Sequence, residues 1–143
     1  MSMSELHPPS SRAYSGKAGV VTLANGVRLS QKQSRMLEFA TRVAETTDTN
    51  SKHGAVIVRG GRVLAVGTSK WRNRNVPPII GYNPHVTVHA EIDALSRLVD
   101  AKGATIYIAR VNNQGDTRMS RPCETCERAL NDAGVKRVVY TVP

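Results

Sequence analysis

Four side chains carry chemistry by type and spacing: His89, Glu91, Cys123 and Cys126. Cys123 and Cys126 lie three residues apart, which places both sulfurs on one side of a helical turn. Pro122 suits the entry to such a turn, because its missing N–H would have no intrahelical partner there. The positive end of a helix favours thiolates, the form that binds metal. His89 adds a neutral ring nitrogen. Three protein ligands on zinc leave one position for water, which is the arrangement of catalytic sites. Zinc lowers the pKa of that water to about 7. Glu91, two residues from His89, is then free to move protons. The expected chemistry is hydrolysis.

Two other uses of the same residues stay open. His85 precedes His89 by four residues, so His85, His89, Cys123 and Cys126 could close a structural two-His, two-Cys cage. Pro84 disfavours a helix through both histidines, and the cage leaves Glu91 without a role. Two merely buried thiols are the other alternative. That both cysteines of the chain fall in one C-x-x-C weighs against it.

The elements that must position these groups follow from periodicity. Residues 1–18 are rich in Ser, Pro and Gly and read as a flexible tail ahead of one domain over 19–143. Val20–Leu23 and Val27–Leu29 flank Asn25-Gly26 as a small hairpin. Ser30 with Gln33 reads as a capping box, and Met36, Phe39, Ala40, Val43 and Ala44 form the stripe of a packed helix. Ala55–Val58 and Val63–Val66 are strands around Gly60-Gly61. A polar loop over 69–87 leads to a helix with Val88, Ile92, Leu95 and Val99 on one side. Thr105–Ile108 is a strand, Asn112–Asp116 a turn, and the cysteine helix ends at a Gly134 cap. Val138–Thr141 is the last strand. Apolar strands alternating with helices indicate an α/β sheet covered by helices, with two helix N-termini meeting at one sheet end.

The chain has 143 residues, enough for one domain with a core. No apolar run approaches membrane-spanning length and no signal-peptide core opens the chain, so no membrane partner is expected. Two cysteines assigned to metal leave none for a disulfide, which suits a reducing cytoplasm. The net charge of +9 attracts anions, among them mononucleotides and single strands.

On His89-Ala90-Glu91, Pro122-Cys123-Glu124-Thr125-Cys126 and the element order over about residues 30–142, the chain resembles the cytidine and deoxycytidylate deaminase superfamily. Its known zinc signature is H-x-E…P-C-x-x-C. The resemblance implies a three-layer, cytidine-deaminase-like α/β fold, a central mixed sheet covered by helices. It implies one Zn2+ per chain on His89, Cys123 and Cys126, with Glu91 as the catalytic proton shuttle. The implied reaction is hydrolytic deamination of a cytosine nucleotide, dCMP to dUMP with release of ammonia. The alternative is a base in single-stranded DNA or RNA, including tRNA; a non-catalytic zinc-stabilised binding protein ranks below both. Asn73, ahead of Asn75, is the candidate sugar contact, with Ala90 and His53 as further substrate contacts. The basic loop Lys70–Arg74, which holds Trp71, could grip a phosphate or a strand. Relatives usually assemble, so a homo-oligomer is implied. Two positions depart from the pattern: Arg121 replaces a common Glu before Pro122, and Asp93 stands where H-A-E-x-N-A has Asn.

Overall fold

The computed structural model describes residues 21–24, 29–49, 51–71 and 87–143. Its strands are β1 (Val21–Ala24), β2 (Lys52–Arg59), β3 (Arg62–Thr68), β4 (Lys70–Trp71), β5 (Thr87–Val88), β6 (Thr105–Val111), β7 (Thr117–Arg118) and β8 (Arg137–Tyr140). The helices are α1 (Gln31–Glu45), α2 (Ala90–Leu95) and α3 (Glu124–Asp132). The main sheet has the order β1-β8-β6-β2-β3, with β7 paired to the end of β6. β1–β8 and β8–β6 run parallel, whereas β6–β2 and β2–β3 run antiparallel. The expected mixed sheet is present.

Strand periodicity sends alternate side chains to opposite faces. Ala55, Ile57, Ile106, Ile108, Val138 and Tyr140 pack against Ala90 and Ala94 of α2 and Leu130 of α3. Val56, Val58, Tyr107, Ala109, Val111 and Val139 pack against Leu37, Ala40 and Ala44 of α1. A strand buried on both faces reads as a continuous apolar run, as these do. The result is three layers: α1, the sheet, then α2 with α3. Fully burying one such Val, Ile or Leu side chain contributes about 1.5–3 kcal/mol. Both layers therefore resist a register slip, which would exchange the two faces.

Close approach seats the helices. A Cβ on Gly54 of β2 would lie 2.5 Å from Ala40 O and Ala44 N of α1. A Cβ on Gly67 of β3 would collide with Ala90 O and Ala94 N of α2. The Ser30–Gln33 capping box opens α1 as expected, with Ser30 Oγ accepting from Gln33 N–H and Gln33 Oε1 from Ser30 N–H. Gly60 and Gly61 turn β2 into β3 at φ 61° and 77°, where glycine avoids the Cβ penalty. Gly134 stops α3, as expected: its N–H donates to Asn131 O and that of Val135 to Leu130 O, a Schellman pattern.

Three expectations about elements need correction. β1 pairs in parallel with β8, and Leu29 is not in a strand; the turn Asn25-Gly26 and Val27-Arg28 lie outside the described residues. The ends of the 69–87 loop are paired, β4 with β5. α2 is shorter than its apolar periodicity suggested. Val88 belongs to β5 and Val99, beyond the helix, is 105% exposed. The helix starts late because His89 is its extended N-cap, and it stops at Ser96, whose hydroxyl donates to Asp93 O. In α1 the stripe residues Ala40 and Ala44 are fully buried as expected, and Leu37, which the stripe Met36–Phe39–Ala40–Val43–Ala44 omitted, is buried beside them. Among the described residues no helix is long and apolar enough to cross a membrane.

Candidate metal centre and active-site cavity

Two helix N-termini meet at one end of the sheet. His89 caps α2 in an extended conformation and makes no side-chain capping bond. Its imidazole is therefore available to a neighbour. Cys123 caps α3, and its Sγ accepts from Cys126 N–H at 3.5 Å. His89 Nδ1 lies 3.1 Å from Cys126 Sγ and 3.7 Å from Cys123 Sγ, and the three ligand atoms lie within 4.8 Å of one another. Zinc bonds of about 2.3 Å to sulfur and about 2.0 Å to nitrogen in a tetrahedron give ligand–ligand edges of roughly 3.5–3.8 Å. The triad fits a zinc ion.

The donor chemistry fits as well. Burial, the Glu91 charge and Cys123 all push the Cys126 thiol well above its ordinary pKa. Its thiolate needs a neighbouring cation, which a metal supplies. Glu91 is 4% exposed. Burial raises its pKa, against the opposing effect of its own backbone N–H and of His89. The shift favours the protonated form relative to an exposed carboxylate, the direction that suits a proton carrier.

Buried hydroxyls hold the two walls. On the cysteine side, Ser120 Oγ donates to Ile108 O and accepts from Thr141 N–H. Thr141 Oγ1 donates to Arg118 O and accepts from Arg110 N–H. These bonds pin the segment before Arg121-Pro122-Cys123 to the ends of β6 and β8. On the other side, Ser69 Oγ accepts from His53 N–H at 3.0 Å and lies 2.8 Å from Thr49 Oγ1. Thr47 Oγ1 donates to Ser69 O. His53 Nδ1 lies 3.3 Å from Ser51 O, which suits an N–H on that nitrogen. Burial lowers the His53 pKa, helped by Arg110 and His89 and opposed by the Ser51 bond. That direction favours the neutral ring.

Between these walls is a cavity of about 210 Å³ lined by His89, Glu91, Cys123, His53, Ser51, Ser69 and Arg121. Three of the residues singled out in the sequence, His89, Glu91 and Cys123, thus share it with His53, while Cys126, the buried third member of the candidate triad, is not among its lining residues. Ala90 is fully buried in the core, so only its backbone is left to face a substrate. Asn73, Asn75, His85 and Arg72–Arg74 lie outside the described residues. Lys70 is tied to Asp93 at 3.1 Å, and Trp71 is 42% exposed. Ser51, Ser69 and Arg121 were not singled out as site residues. Ser51 lies just ahead of β2, two residues before His53, and Arg121 adjoins the cysteine motif. Ser69 had no local signal, since only the β2–β3 pairing brings it beside His53.

A model of the cytidine and deoxycytidylate deaminase zinc-binding region matches residues 30–142. Among solved structures, the chain is similar to the dCMP deaminase of cyanophage S-TIM5 in apo form, at 22% identity and a TM-score of 0.61, covering 80% of this chain and 86% of that one. The same enzyme in complex with dCMP and dUMP matches at 21% identity and 0.60, over 81% and 86%. RibD of Acinetobacter baumannii matches at 25% identity and 0.51, over 79% of this chain and 28% of that one. No curated protein sequence matches the chain.

Proposed function

Since the chain belongs to the cytidine and deoxycytidylate deaminase zinc-binding family, we propose that it hydrolyses dCMP to dUMP and ammonia. The observation that carries this reading is the convergence of the His89–Cys123–Cys126 triad and buried Glu91 on one cavity. His89, Cys123 and Cys126 would hold the zinc, which would supply a nucleophilic water near neutral pH. Glu91 accepts a proton from the attacking water at its carboxylate. It passes that proton to the ring nitrogen N3 of cytosine, and a second transfer protonates the leaving amine. Water thus adds oxygen at C4, the C4–N bond breaks, and ammonia carries off the nitrogen.

The rest of the cavity suits a nucleotide. Arg121 is its charged cation, matched to a 5′-phosphate, and neutral His53 with Ser51 and Ser69 offers hydrogen bonds to sugar or base edges. The similar cyanophage enzyme, a dCMP deaminase crystallised with dCMP and dUMP, supports this choice of substrate. The test is a deamination assay on zinc-loaded protein with dCMP, CMP, deoxycytidine, single-stranded DNA and an RNA hairpin, read by mass. Conversion of dCMP ahead of the others is expected. Conversion of the polymers alone would overturn the nucleotide assignment.

A further inference from the structure

The sheet has a second working end. β2 begins beside the cavity and runs for eight residues to Arg59, about 20 Å away at ~3.3 Å per residue. There a second concavity of about 330 Å³ is lined by four cations. Lys32 comes from the first turn of α1, Arg59 from the end of β2, and Lys136 and Arg137 from the entry to β8. No Asp or Glu lines it. The first turn of α1 also lacks an acidic residue, so the helix's positive end adds to the same field.

One of these cations is set in place beside a carboxylate, and the other three are not neutralised by any described residue. Arg59 Nη1 donates to Asp100 O at 3.2 Å and Lys102 O at 3.1 Å, with the Asp100 carboxylate 3.9 Å off. The Lys32 ammonium lies 3.2 Å from where a Cβ on Gly61 would be, over the β2–β3 turn. Among the described residues, Lys32, Lys136 and Arg137 form no ion pair. Like charges gathered in one concavity repel one another, and low-dielectric walls focus their field outward. An anion entering the groove relieves that repulsion.

We propose that this groove docks the phosphate backbone of a polynucleotide, at the end of the sheet opposite the zinc-ligand cavity. Its four cations come from three separate segments and exceed the charge that one phosphate neutralises, which favours several linked phosphates over one. Its aromatic lining residue, Tyr107, is 5% exposed and gives no stacking platform. With no carboxylate to read base amino groups, binding is by backbone charge and independent of sequence. The site does not depend on which base the zinc cavity accepts.

The test measures binding of a fluorescent 20-nucleotide oligothymidylate to the full, zinc-loaded chain by anisotropy, across salt concentrations. Neutralising three to four phosphates of a single strand gives a log–log salt slope of about −2 to −3. The variant Lys32→Ser/Lys136→Ser/Arg137→Ser should bind at least tenfold more weakly at about 0.1 M salt and flatten the slope by about 2. Its dCMP turnover should be unchanged. Lys32→Ser/Lys136→Ser leaves β8 intact and should show a smaller change in the same direction. The control Arg35→Ser/Arg42→Ser/Arg128→Ser removes equal charge elsewhere and should keep binding. Equal losses in groove and control variants would reduce the effect to diffuse net charge and overturn the proposal. So would affinity that does not grow with oligonucleotide length and is abolished by stoichiometric inorganic tripolyphosphate, which would reassign the groove to a small oligophosphate.

Discussion

A carboxyl group as buried as Glu91 is destabilising to the fold when ionised, and its retention beside two thiols and an imidazole is intelligible as proton chemistry. Glu91→Gln keeps shape and hydrogen-bonding capacity while removing the titrating proton. Turnover of dCMP should fall by about 10²–10⁴-fold with zinc content per chain unchanged; retained turnover together with full zinc would remove Glu91 from the mechanism. Arg121→Gln tests the phosphate assignment. KM for dCMP should rise at least tenfold while deoxycytidine kinetics stay level, because the nucleoside has no phosphate to lose. At this scale the site was largely legible. His89, Glu91, Cys123 and Cys126 are fixed by short spacings, and two helix starts express those spacings directly. Ser69 was not legible, because its place beside His53 follows from strand pairing across 16 residues.

Among the elements, α2 carries the most constraint for its length. It has six residues, too few to be stable alone, so β3 must hold it. Gly67 does so by letting the strand backbone touch the helix at Ala90 and Ala94. Gly67→Ala should therefore cost about 1–3 kcal/mol and lower zinc occupancy, since the displaced backbone begins at the residue after His89. A variant with normal zinc content and an unchanged melting curve would show that the helix is seated otherwise. Asp93 is the second tether. Its burial opposes ionisation, but Thr68 N–H, Lys70 and Arg97 outweigh this and lower its pKa. A lowered folded-state pKa stabilises the fold above the unfolded value and is lost as pH falls through the folded one. Asp93→Asn should cost about 1 kcal/mol at pH 7, a gap that urea titrations should show closing as the pH falls below the ordinary carboxylate range. The length of α2 was misjudged in the sequence because Val88 and Val99 continue an apolar period that tertiary structure does not use. The His89 cap and the Ser96 back-bond, which end the helix, are local polar effects that periodicity does not report.

Across the whole molecule, the three layers are held by different means. α1 packs on one face through Leu37, Ala40 and Ala44, with a helix of 15 residues and a complete capping box. The opposite face is covered by α2 and α3, short helices whose facing N-termini carry the ligand triad. The layering was legible because strands buried on both faces have unbroken apolar runs; the parallel docking of β1 on β8 was not, because a four-residue edge strand pairs through backbone groups that any sequence supplies. This asymmetry predicts an asymmetric response to metal removal. A metal bound at 100 times its Kd stabilises the fold by about 2.7 kcal/mol, so stripping it with a chelator should lower Tm by about 5–15 °C. Hydrogen exchange should then quicken first at the N-terminal turns of α2 and α3, where the ion joins two elements, while the amides of α1 and central β2 and β6 stay protected. Restoring zinc should reverse both changes. Uniform loss of protection across all three layers would mean that the metal stabilises one cooperative unit, and an unchanged Tm with unchanged exchange would mean that the triad holds no ion.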